Sequence, residues 1–431
     1  MRIHTVQANE TIYTIAEAYD IPVERLLKDN SLPPNYNLNI GQSLLITYPE
    51  KTYVVEDGDT IESIAAAHEV SVIELLRNNP YLADREYLYV GEELIISYLH
   101  KRNIKVIGYA FSFINSSILI KTLPYLTYIT IINYQVLADG VILSVNDSEI
   151  LKLAKDYGVI PIMMLSSITA EGRGSYGINH SLLHNENAQS TLINNLLSIL
   201  KTKGFRGVDL GFQAILPDDI PLYIEFMDKL TTILNERGYE VFVTLVPSTY
   251  GYISGVQNNI PYFRRIGEIV NHVVLLSYSW ATAFMPTVAQ TTVNFLEDYL
   301  KYVLTQIPPE KIFIGLSRLA YDWELPYVEG ETTGMGSVLT NSDAINLANL
   351  TNAEIKYDGI TETPYYTYNI TGVDHFVWFK DSRSINAIVN LIEEYGLEGV
   401  AVWNIMYFAP YTWLVINTQY NIDTELVTKF D

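Results

Sequence analysis

Gly204-Phe-Arg-Gly-Val-Asp-Leu-Gly-Phe-Gln213 is the stretch that decides the fold. A short, nearly continuous apolar run set between amphipathic stretches reads as a buried strand of a parallel sheet. Alternation puts Asp209, Gly211 and Gln213 on one face of it. Seven more runs share the pattern, at about 104–110, 126–134, 159–165, 240–246, 272–278, 311–316 and 398–404. Eight such strands alternating with helices predict an α/β fold, a (β/α)8 TIM barrel over 101–431, whose working site lies at the C-terminal strand ends. The shared face then points inward, with Gln213 nearest the mouth.

The gap from the seventh run to the eighth, about 317–397, is too long for one βα unit and predicts an α+β insertion. Pro364–Ile370 and Asp374–Phe379 read as its strands, with Tyr and Trp side chains suited to walling a groove. A helix over 384–394 leads through Gly396 into the last strand.

Ahead of the barrel the chain repeats itself at a shift of 49 to 50 residues. Val6-Gln-Ala-Asn-Glu-Thr-Ile-Tyr-Thr-Ile-Ala16 aligns with Val55-Glu-Asp-Gly-Asp-Thr-Ile-Glu-Ser-Ile-Ala65, and Ile40-Gly-Gln-Ser-Leu-Leu-Ile46 with Val90-Gly-Glu-Glu-Leu-Ile-Ile96. Each unit, 1–49 and 50–100, reads as a small βααβ module. Asp59-Thr-Ile-Glu62 is a capping-box pattern, and Pro22 and Ser71 open the second helix of each unit.

These repeats resemble the lysin-motif (LysM) family, which binds N-acetylglucosamine-containing glycans such as peptidoglycan and chitin. Gly58, Asp59 and Thr60 match its glycan-binding element, and Asn9-Glu10-Thr11 stands in the same place in the first module. The 204–213 stretch resembles the fourth-strand motif of glycoside hydrolase family 18, the chitinase family, D-G-x-D-x-D-x-E. Val273–Tyr278, Ile314–Trp323, His375–Asp381 and Gly399–Trp403 resemble further segments of that family, most closely its spore-cortex lytic branch. On this alignment Arg206 replaces the first Asp, Asp209 keeps the second, Gly211 replaces the third, Gln213 replaces the proton-donating Glu, and Ser279 replaces an Asp on the sixth strand.

A glutamine amide has no proton to donate at neutral pH, so a general-acid contribution of roughly 10²- to 10⁴-fold is missing at that position. Gly211 removes the aspartate that in the family orients the substrate's N-acetyl group, itself the attacking nucleophile. What remains is a sugar-shaped pocket. The resemblance implies stacking of a pyranose on Trp403 and contact at Tyr278; Tyr109, Tyr134 and Gln213 are further candidates for sugar contact, with ordinary barrel packing the competing role of each aromatic.

Composition bounds the partners. Of the 431 residues 48% are apolar and 18% charged, enough for a sizeable core. Against 49 Asp plus Glu stand 27 Lys plus Arg, and a formal charge of −22 argues against nucleic acid and anionic membrane. The 33 Tyr residues suit sugar grooves and protein interfaces, so a homo-oligomer or coat assembly is an expected partner state. The absence of Cys rules out disulfides and thiolate chemistry. His180 and His184 stand four apart without helical apolar periodicity, and we read no metal site and no cofactor. Met1–Glu10 lacks an apolar run, so we expect no secretory signal.

The expectation drawn from these residues is a catalytically inactive, chitinase-like glycan binder, not an enzyme. It would sit at the spore coat or surface or in the cell wall, laid down from the mother-cell cytoplasm as the resemblance implies. One alternative is a self-assembling structural coat protein. The other is an active peptidoglycan or chitin N-acetylglucosaminidase with a displaced acid, for which Asp218, Asp219, Asp322, Glu324 and Glu329 are candidates.

Overall fold

Each front module is a two-stranded antiparallel sheet under two short helices. The first runs β1 (Arg2–Thr5), α1 (Ile12–Tyr19), α2 (Val23–Asp29) and β2 (Ser43–Ile46); the second runs β3 (Lys51–Val54), α3 (Ile61–Ala67), α4 (Val72–Asn78) and β4 (Glu93–Ser97). The computed structural model describes residues 1–85, 87–167, 175–212, 215–245, 262–276, 293–326 and 336–424. A buried Asn clamps each module: the Asn30 amide donates to the Leu26 and Leu45 carbonyls and accepts from Leu45 N–H, and Asn79 does the same with Leu75 and Ile95. The expected capping box forms one residue later than its pattern placed it. Thr60 caps α3 and Ser63 returns the bond, because the short hydroxyl of Ser63 reaches the cap where Glu62 points outward.

The barrel begins with β5 (Asn103–Ala110) and α5 (Ser116–Thr122), then β6 (Tyr128–Val136), which a short β7 (Ile142–Leu143) extends. After α6 (Ser148–Asp156) come β8 (Ile160–Ser166), α7 (Tyr176–Leu183), α8 (Glu186–Lys203), β9 (Gly207–Gly211), α9 (Ile220–Asn235), β10 (Glu240–Leu245), β11 (His272–Leu275) and β12 (Ile312–Ser317). The insertion supplies β13 (Leu319–Leu325), β14 (Ser337–Thr340), β15 (Lys356–Asp358), β16 (Thr363–Ile370) and β17 (Val373–Trp378), paired antiparallel in the order β14-β13-β17-β16-β15. Then β18 (Gly399–Trp403) lies between β12 and β5, and β5 pairs with β6, closing a parallel eight-stranded barrel.

Two apolar layers hold the barrel. Its interior is filled by Ile107, Tyr109, Tyr128, Ile132, Ile162, Met164, Phe242, Val274 and Phe313, and a larger outer layer packs the strands against the helices. At the N-terminal strand ends Glu398 bridges Lys105 Nζ, at 2.6 Å, and His272 Nδ1, at 2.7 Å. The chain's chemistry is left to the opposite end. In the insertion, Trp323 and Trp378 are 1% and 8% exposed and pack with Tyr321, Tyr365 and Phe376. The expected aromatic wall is, in these residues, a core.

Both modules are docked on the barrel. Buried Arg77 donates to the Ile422 carbonyl, Tyr125 Oη donates to the Arg77 carbonyl at 2.6 Å, and Asn417 Nδ2 donates to Asn78 Oδ1 at 2.7 Å. In the first module, Ile355 N–H donates to the Ile40 carbonyl and Arg383 to the Gly41 carbonyl, each at 3.0 Å. Gly41 and Gly91 occupy matching turns at φ +82° and +87°, but a Cβ at 41 would stand 1.7 Å from the Ile355 oxygen, whereas one at 91 meets nothing within 4 Å. We therefore predict that Gly41→Ala costs roughly 2–4 kcal/mol and Gly91→Ala about 1 kcal/mol, read by chemical denaturation. Equal losses would mean that the Gly41 contact yields.

Candidate active site

The strand β9 carries Asp209 into the barrel, where it is 1% exposed. Tyr109 Oη donates to Asp209 Oδ2 at 2.6 Å, and Thr244 Oγ1 sits 2.9 Å from both carboxylate oxygens. Burial pushes the Asp209 carboxyl up to about 6, and the two hydroxyls pull it part of the way back.

An acid raised above its unfolded value binds its proton more tightly when folded. Its unfavourable effect on stability is absent below the unfolded value and complete once the pH exceeds about 6. Asp209→Asn removes that cost, so relative to wild type the variant should gain on the order of 3 kcal/mol on going from pH 4 to pH 7. Urea unfolding at the two pH values measures this, and a pH-independent difference would contradict it.

From Asp209 the site rises to the mouth through aromatic rings. Tyr109 is buried, with its ring 5.2 Å from that of Trp403, which is partly exposed at the end of β18. Phe111 lies 6.5 Å from Trp403 and stacks at 5.4 Å on Phe113, itself 76% exposed. Trp403 and Tyr109 thus come together on one side of Asp209. Phe111 and Phe113 were not anticipated; their signal was Phe111-Ser-Phe113 directly after the first apolar run.

Gly211 leaves space that is already used. A Cβ there would lie 2.2 Å from Met164 Cε on the neighbouring β8, so the thioether fills the volume of the missing side chain. Gln213, Tyr278, Ser279 and Glu329 lie outside the described residues.

Tyr134 is a correction. An extra residue in β6 between Ile131 and Tyr134, with Asn133 at φ +79°, breaks the alternation. Ile132 faces the barrel interior, but Tyr134 falls in the outer layer. Its hydroxyl donates to Asp147, and Lys203 Nζ donates to Tyr134 Oη at 2.8 Å and to Asp147 Oδ1 at 2.7 Å. It serves the Lys203–Asp147 ion pair in the outer layer and does not face the barrel interior.

Two of the candidate displaced acids, Asp322 and Asp219, are also occupied. Asp322 accepts from Tyr368 Oη at 2.7 Å and meets His375 Nδ1 at 3.0 Å inside the insertion. Asp219 meets His184 Nε2 at 2.9 Å and His180 Nδ1 at 2.8 Å. The bond from His184, with that from His180, holds the Asp219 carboxyl below its usual range, which suits a base or ligand and not a proton donor at neutral pH. Asp218 and Glu324 are exposed.

In the second module Asp59 Oδ2 accepts from Glu56 N–H and from Tyr53 Oη, each at 2.8 Å, beside exposed Gly58 at φ +85° and exposed Thr60. In the first, Glu10 Oε2 takes Gln7 N–H at 2.6 Å and His4 Nε2 at 2.7 Å, and Asn9 adopts φ +67°. The two loops are braced alike although their residues differ, because Asn tolerates the left-handed region.

Comparison with known proteins agrees with this architecture. The family described as Glycosyl hydrolases family 18 matches residues 97–407, and LysM domain matches 4–47 and 53–97. The chain is 30% identical to the cortical fragment-lytic enzyme of Bacillus anthracis, over 98% of this chain and 99% of that protein. The crystal structure of the spore cortex-lytic enzyme SleL of Bacillus megaterium QM B1551 superposes with TM-score 0.81 at 30% identity, over 98% and 99% of the two chains. SleL of Bacillus cereus gives TM-score 0.80 at 27% identity over the same shares. These full-length relatives are named as lytic enzymes, and that overturns the expectation, drawn from Gly211 and Gln213, of a chain that is not an enzyme. The physical reason is that loss of one proton donor lowers a rate by roughly 10²- to 10⁴-fold and does not by itself abolish it.

Proposed function

Because the chain belongs to glycosyl hydrolases family 18 and carries two LysM domains, we propose that it is a spore peptidoglycan glycosidase that acts on cortex fragments. Its LysM modules hold N-acetylglucosamine-containing strands, and the barrel mouth seats one sugar on Trp403. The observation that carries the reading is the unbroken path from partly exposed Trp403 through Tyr109 to buried Asp209. Cleavage is slow in this reading, because position 213 offers an amide to an oxygen that needs a proton. Among the described residues no helix is long and apolar enough to cross a membrane.

The test uses the full chain. It should co-sediment with insoluble spore peptidoglycan and release reducing ends slowly from purified cortex fragments. Absence of both, from a folded protein, would end the proposal.

A further inference from the structure

The histidine pair that showed no pattern in the sequence acquires one in the fold. Ser175 caps α7, accepting from Ile178 N–H, and His180 and His184 fall one turn apart at the end of that helix, with ring centroids 4.3 Å apart. The chain then leaves through α8 and β9 and returns to deliver Asp219 at the foot of α9. Its carboxylate is buried, with a side chain 4% exposed, while the two imidazoles are 50% and 49% exposed.

Each carboxylate oxygen faces a different ring: Oδ2 meets His180 Nδ1 and Oδ1 meets His184 Nε2. One donor atom from each of the three residues lies within 4.8 Å of the others. Donors bound to one zinc-sized ion at about 2.0–2.2 Å stand roughly 3.4 Å apart in a tetrahedron. The pairs at 2.8 and 2.9 Å would open by about half an ångström to admit an ion, and the imidazole pair lies within the same 4.8 Å.

The charge balance favours an ion as well. Among the described residues the ion-pair partners of Asp219 are these two imidazoles. A buried carboxylate without a fixed cation is costly, and a divalent ion supplies the charge. Two imidazoles and one carboxylate, with the outer face open to water, form the donor set that suits zinc, cobalt or nickel and not the oxygen-seeking magnesium or calcium.

We propose that His180, His184 and Asp219 bind one divalent transition-metal ion, zinc being the class that fits. The ion would staple α7, which follows β8, to the loop that runs from the end of β9 into α9, both on the rim of the barrel that carries its chemistry. This inference stands whether or not the glycan reading does, since it uses none of the mouth residues.

Cobalt serves as a visible probe for zinc. Full-length protein stripped with a chelator is titrated with Co²⁺ while its visible ligand-field absorption is followed, and Zn²⁺ is then added. Wild type should take up one equivalent, zinc should displace it, and added zinc should raise the thermal midpoint by a few degrees. His180→Ala and His184→Ala, each removing one of three ligands at a half-exposed position, should weaken cobalt binding at least ~10-fold, with circular dichroism checking the fold. Asp219→Asn, which keeps the shape and removes the charge, should weaken it too. The proposal is overturned if wild type gives no stoichiometric cobalt spectrum, if the two-histidine variant binds as tightly as wild type, or if magnesium shifts the midpoint as zinc does.

Discussion

Gln213→Glu should speed cleavage of cortex fragments by roughly 10²- to 10⁴-fold, the range of general-acid catalysis. The change returns an ionisable group to the position that the family resemblance assigns to the proton donor, where, on the proposed reading, the leaving oxygen of a sugar needs its proton. Gly211→Asp added to it should raise the rate further by orienting the N-acetyl group, but only if Met164 swings away. A Cβ at 211 comes 2.2 Å from Met164 Cε, and a thioether is flexible enough to move. Steady-state release of reducing ends by the single and double variants measures both steps. If Gln213→Glu leaves the rate unchanged while glycan binding persists, the cleft has diverged beyond its acid, and the assignment of position 213 falls.

Trp403→Ala should raise KM for soluble cortex fragments by about 30-fold, the equivalent of roughly 2 kcal/mol for a central aromatic anchor. Retention on insoluble peptidoglycan should be little changed, because the LysM loops around Asp59 and Glu10 are braced by bonds within their own modules. Tyr109 beneath the ring is buried and tied to Asp209, so the floor of the site survives the truncation. An unmoved KM would remove Trp403 from the sugar site. Loss of retention together with the rise in KM would place the main glycan contact in the barrel instead of the modules.

What was legible in the sequence depended on short-range pattern. Barrel strands such as β5, β8 and β12 form where the apolar runs lie, because burial on both faces leaves a continuous run that few other structures produce. The two modules were legible because a repeat compares the chain with itself. The inward setting of Asp209 was legible from strand alternation, whereas Trp403 was legible only through the family resemblance. Tyr134, a candidate for sugar contact, falls in the outer layer instead, because one extra residue at Asn133 reverses every side chain after it and a single bulge leaves no periodic trace.

By itself the sequence therefore determined the order of the elements, the two modules, the barrel, and the Gly and Gln at 211 and 213, where the family resemblance expects acids. Tertiary structure alone decided which of two matching turns bears a backbone contact, as Gly41 does on Ile355 and Gly91 does not. It alone filled the space beside Gly211 with Met164, and brought Asp219 across 39 and 35 residues of chain to His180 and His184. The physical reason is common to these cases. Periodicity and propensity report what neighbours along the chain do to one another, whereas contact across the barrel rim depends on where whole helices and strands come to rest.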